Sequence, residues 1–93
     1  QRMKAVKEAD GSSVLDNAIV TYGAGLGDGA THQYFDLPLI VAGRAQGAIK
    51  QGRFVQCKSG TLNSNMWLTV AKLMDVEIDQ YADSDGVISD LWT

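Results

Sequence analysis

Asp28 and His32 stand four residues apart in a glycine-rich loop that follows an apolar run. An Asp and a His delivered by one loop at a strand end have the chemistry to share a divalent metal such as zinc, or to work as an acid–base pair. The same two residues also fit a plainer arrangement, an Asp that ties its own turn and a His hydrogen-bonded to backbone. A catalytic zinc needs three protein ligands, and His32 is the only histidine. Within this chain alone the plainer arrangement is therefore favoured. The loop itself is the ladder GAGLGDG, with Gly23, Gly25, Gly27 and Gly29 alternating. Gly-x-Gly after a strand is a feature of phosphate loops, but those loops run directly into a helix whose free amides hold the phosphate. Here the ladder leads through Thr31 to Leu37 and Pro38 into a second apolar run, so nucleotide binding is not expected.

Two other groups have residue types that could do chemistry. Asp83, Asp85 and Gly86 resemble the middle of a calcium loop, but the flanking ligand positions of such a loop fall on Tyr81 and Trp92 and fail. Cys57 is the single cysteine, which excludes an internal disulfide, and with no histidine near it in sequence it reads as a half-buried strand residue rather than a nucleophile.

Ladder, Asp28 and His32 must be positioned by the elements around them. Residues 18–22 (AIVTY) and 37–42 (LPLIVA) read as short buried strands, each too continuously apolar for a half-exposed one. Pro38 is tolerable near a strand start. Residues 1–9 read as the last turns of a helix ended by Asp10 and Gly11, and residues 15–17 as a turn. Residues 48–58 alternate roughly and read as a hairpin or edge strand broken near Gly52. The clearest helix spans 62–75, where Leu62, Met66, Val70 and Leu73 form a stripe that Trp67, Ala71 and Met74 widen into a core-facing band, with Thr61 or Asn63 as cap. Residues 76–92 carry scattered apolar side chains between acids and read as irregular, docking through aromatics.

The order helix, strand, loop, strand, hairpin, helix is an α/β pattern. Ninety-three residues make one small unit that is marginal without help. Two buried strands cannot be covered on both faces by so few helices, so another chain, another segment or a second copy is expected to cover them. The net charge of −3 and eight scattered cations leave no run to track a phosphate backbone, so nucleic acid is not an expected partner. No apolar stretch approaches the ~18 residues of a membrane span. The acids Asp75, Glu77, Asp79, Asp83, Asp85 and Asp90 cluster in the last fifth and read as a solvated tail or loop. The chain starts at Gln1 rather than Met, as a processed or excised piece would.

Residues 15–55 resemble the closing part of the HXXSHH-motif family, exported bacterial proteins without an assigned activity. The matching residues are Leu15, Asp16, Tyr22, Gly23, Asp28, Gly29, His32, Leu37, Pro38, Ala42 and Gly43. Gly52 with Arg53, the NMWL of residues 65–68, Met74 with Val76, and the DSDG of residues 83–86 follow in register. The resemblance implies a distant alkaline-phosphatase or sulfatase-like fold, of which residues 1–93 would be one C-terminal segment: short buried strands, a hairpin and one long amphipathic helix, completed by another chain or segment. It implies a periplasmic or extracellular location. It also puts Asp28 and His32 where metal ligands are expected, in a metal-dependent ester hydrolase whose nucleophile and first carboxylate ligands lie on strands outside this chain. Family members often carry further histidines where Tyr34 and Phe35 stand here. That departure supports the alternative of a non-catalytic binding or structural component of a cell-surface or multi-chain assembly.

Overall fold

The computed structural model describes residues 1–92. The elements are α1 (Arg2–Ala5), α2 (Val14–Asn17), β1 (Val20–Gly23), β2 (Leu39–Ala42) and α3 (Asn63–Leu73), with 3-10 turns at Ala45–Gly47 and Ser89–Leu91. They make a small mixed unit of the coarse α/β kind, and its sheet is a two-stranded antiparallel ribbon in which Val20 pairs with Ala42 and Tyr22 with Ile40.

The first helix is shorter than its spacing predicts. It ends at Ala5, and Val6 is already extended. Nine residues are too few to sustain a helix on propensity alone. Instead Glu8 N–H donates to the Ser12 carbonyl and Val14 N–H to that of Val6, across a turn in which Gly11 takes φ 85°. Residues 15–17 lie not in a simple turn but in a single helical turn, started by a reciprocal cap. The Ser13 hydroxyl accepts from the Asp16 amide, and the Asp16 carboxylate accepts from the Ser13 amide.

Both strands correct the expectation of buried strands. Tyr22 is 77% exposed and Ile40 63%. Alternation puts Val20, Tyr22, Ile40 and Ala42 on one face of the ribbon, and no described element covers it. Residues 48–58 correct the expectation of a hairpin or edge strand. Apart from an isolated bridge between Ile49 and Trp92 they pair with nothing, and none of the amides of residues 51–60 donates to a described residue. A left-handed Gly52 (φ 71°) breaks the run from within, and a left-handed Gly60 (φ 87°) follows its end. Cys57 lies there, exposed rather than half-buried.

Helix α3 forms where its periodicity predicts, but it buries a different face. Met66 and Leu68 are buried together with Ser64, Asn65 and Thr69, whereas Trp67 and Met74 are exposed. Neither Thr61 nor Asn63 caps it: the N-cap is Leu62, without a side-chain bond, and the Thr61 hydroxyl donates instead to the Lys58 carbonyl. The polar face is buried because the acidic segment lies on it. Asn65 Nδ2 donates to Asp85 Oδ1 at 2.7 Å, and Asp85 N–H donates back to Asn65 Oδ1 at 3.0 Å. Ile88 N–H donates to Thr69 Oγ1 at 2.8 Å, and that hydroxyl donates to the Asn65 carbonyl at 2.6 Å. So residues 76–92 are irregular as expected apart from one 3-10 turn, and they dock both by a polar ladder and by half-buried Trp92, which bridges Ile49, whereas Tyr81 is 50% exposed.

The buried apolar set is Ala45, Ile49, Met66 and Leu68. The accessible surface is 6917 Å², against about 5,200 Å² for a compact monomer of this mass. The radius of gyration is 14.7 Å, against about 12 Å for a compact domain of this length. About 1,700 Å² of surface thus stands beyond what a self-contained domain of this size would show.

Candidate functional site

Ribbon and ladder together form one hairpin whose tip carries Asp28 and His32. Past β1 the two limbs stay in register. Ala24 N–H donates to the Pro38 carbonyl at 3.3 Å, Gly27 N–H to that of Gln33 at 2.7 Å, and Gln33 N–H to that of Asp28 at 3.0 Å. This close approach explains part of the glycine ladder. A Cβ on Gly27 would collide with the Phe35 carbonyl oxygen, and one on Gly23 would come within 2.6 Å of the Leu39 side chain. Gly25 and Gly29 face open space.

Asp28 ties its own turn. One carboxylate oxygen accepts from Ala30 N–H at 2.9 Å and the other from the Thr31 hydroxyl at 2.8 Å. The Ala30 amide, then the Thr31 hydroxyl, hold its carboxyl below the usual carboxylate range. His32 is exposed at φ 54°, a left-handed backbone that histidine tolerates better than most side chains. Asp36, as near to His32 in sequence as Asp28 is, also takes a left-handed conformation (φ 53°) and is exposed. It is a carboxylate that reasoning from the ladder alone passes over.

The tip lies outside two depressions in the surface. An open one of about 610 Å³ is lined by Asp10, Asp16, Asn17 and Arg44, and one of about 340 Å³ lies between the ladder and α3, lined by Gly23, Gly25, Pro38 and Trp67. Among the described residues, no three His, Cys, Asp or Glu side chains come together to hold a metal. Asp28 and His32 therefore do not make a metal site by themselves. Each keeps a donor that a metal site completed from elsewhere could use. A carboxylate oxygen engaged in one hydrogen bond keeps a second acceptor position, and His32 is exposed. The remaining ligands of a tetrahedral site would come from outside the described residues. The DSDG segment offers no calcium loop, because Asp85 is turned to Asn65.

No helix among the described residues is long and apolar enough to cross a membrane. No protein-family model, curated protein or solved structure matches this chain.

Proposed function

We propose that this chain is the closing part of a larger exported α/β protein of the alkaline-phosphatase kind, and that its hairpin tip lends Asp28 and His32 to a divalent-metal centre. The observation that carries the reading is the geometry of Asp28: a carboxylate fixed in direction by its own turn, four residues from an exposed histidine on the same hairpin tip. A carboxylate, ionised near neutrality, binds a cation without first losing a proton. Bound there, a divalent cation would polarise an oxygen of a phosphate or sulfate ester. This chain's share would be to hold two ligands in a fixed relation on a hairpin whose limbs are bonded to each other. The test is the metal content of the full-length protein as isolated, compared with His32→Asn, which keeps a residue tolerant of the left-handed backbone. Loss of metal with retained folding is expected, and unchanged occupancy would overturn the role.

A second reading is favoured by Tyr34 and Phe35, both exposed on the same hairpin. Exposed aromatics there suit a contact surface better than a ligand shell. On that reading the protein is a non-catalytic component of an assembly. The full-length protein would then be isolated without stoichiometric metal, and the mass of its assembly would fall in Tyr34→Ser and Phe35→Ser variants.

A further inference from the structure

Charge is divided sharply along this chain. Residues 37–74 carry the cations Arg44, Lys50, Arg53, Lys58 and Lys72 and no acid, whereas residues 75–93 carry six acids and no cation. The two stretches meet along α3, through Asn65 with Asp85 and Thr69 with Ile88, and again where Lys50 N–H donates to the Leu91 carbonyl at 3.1 Å and Ile49 bridges Trp92. Beyond these contacts each shows a surface that lacks a counterpart in the same copy. On the cationic side, residues 51–60 have ten consecutive amides that donate to no described residue, and Phe54 stands 87% exposed between Arg53 and Lys58. On the acidic side, exposed Val76, Tyr81 and Val87 alternate with Glu77, Asp79 and Asp83, while Asp85 and Ile88 keep the segment on α3. One strip is thus an apolar anchor framed by positive charge with unpaired donors, and the other a set of apolar groups framed by negative charge.

We propose that a second copy of this chain occupies these strips, the acidic segment 76–87 of each copy lying along the cationic segment 51–60 of the other. A two-fold arrangement makes the contact twice, so each copy both gives and receives. Opposite charge around apolar anchors sets register and favours encounter. The whole-chain surplus of about 1,700 Å², which the strips share with the open ribbon face, is about twice the roughly 800 Å² that each partner contributes to a stable interface. The inference does not rest on the metal reading, and metal content does not test it.

Sedimentation equilibrium of the 93-residue chain provides the test. At low ionic strength a mass of twice 10.0 kDa is expected, with dimerisation weakened about tenfold or more in roughly 0.5 M salt. Two charge-reversed chains sharpen it, one with Arg53→Glu and Lys58→Glu, the other with Glu77→Lys, Asp79→Lys and Asp83→Lys; all five positions are exposed. Each should be monomeric alone, because its two strips then carry the same sign. An equimolar mixture should regain the dimer mass, because both contacts of the mixed pair are again of opposite sign. Recovery on mixing also shows that both variants fold. A wild-type monomer at low salt, a dimer indifferent to salt and to both reversals, or a mixture that stays monomeric would each overturn the proposal. Should a variant fail to fold, the salt dependence of the wild-type mass decides alone.

Discussion

A methyl group at position 43 would collide with the carbonyl oxygen of Ala18, and the φ of 99° there is one that L side chains rarely adopt. Gly43→Ala is therefore expected to cost at least about 2 kcal/mol in urea unfolding. Gly25→Ala, with open space around it, should stay within about 0.5 kcal/mol of the parent. Equal effects at the two positions would refute the packing of Gly43 against Ala18 and Leu15. The ladder was legible as a loop because alternating glycines resist regular structure. Which of them are sterically required was not, because Gly27 meets Phe35 only when the two limbs come together. Asp28 was legible in its plainer role, since an Asp before Gly in a loop commonly ties its own turn. That role makes a pH prediction. Its native pKa is lowered, so the native state binds the proton less tightly than the unfolded chain, whose value lies near 3.8. The contribution of the turn is complete above that value and is lost as pH falls through the lower native one. Asp10 and Asp16 are lowered too, so the comparison must be between parent and Asp28→Asn. Their melting temperatures should differ near neutrality and converge in acid, below about pH 4. A gap of constant size would show that the turn does not distinguish the charged carboxylate.

Among the elements, α3 was the most legible and still misleading in one respect. Spacing of apolar residues located the helix, but spacing cannot show that Asn65 and Thr69 would be covered by a segment about twenty residues downstream. Both are polar residues beside an apolar stripe, and on an isolated helix they would face water. What buries them is that they satisfy backbone groups of an irregular segment that has no ladder of its own. Thr69 is fully buried and its hydroxyl works in both directions, accepting from Ile88 N–H and donating to the Asn65 carbonyl. Thr69→Val keeps the shape and removes both bonds, leaving the Ile88 amide without its partner. A loss of about 1–3 kcal/mol is expected. Hydrogen exchange at the Ile88 amide should accelerate more than at the amides of β1. If exchange there is unchanged, the acidic segment does not depend on the polar ladder. The residue 48–58 stretch failed for the opposite reason. Its alternation was a real strand signal, but a strand exists only by pairing, and its left-handed Gly52 and lack of a neighbour leave it single.

For the molecule as a whole, the decisive quantity is surface. Length alone made it legible that two short strands and a few helical turns could not cover each other. The direction in which the deficit falls was not legible. It leaves one face of the β1–β2 ribbon and the segment 51–60 open, while α3 is well covered by the acidic segment. Four apolar side chains make up the buried set, and an isolated two-stranded ribbon is at best marginally stable in water. Ordering each residue of backbone costs roughly 1–2 kcal/mol, which so small a buried set offsets poorly. If the proposed dimer forms, stability depends on what covers the open faces, and for the chain by itself that cover is another copy. Association of the folded form alone draws the equilibrium towards folding as concentration rises. A tenfold increase in concentration is worth at most about 1.4 kcal/mol per dimer, and about 1 kcal/mol moves the midpoint of a domain this small by roughly 4–8 °C. The melting temperature followed by circular dichroism should therefore climb by several degrees for each tenfold step in concentration. It should do so less steeply in high salt if the cationic and acidic strips form the contact, and with no such change if the uncharged ribbon face does. A sharp transition at one temperature across all concentrations would mean that the small core suffices and that the open faces are an ordinary surface of this protein.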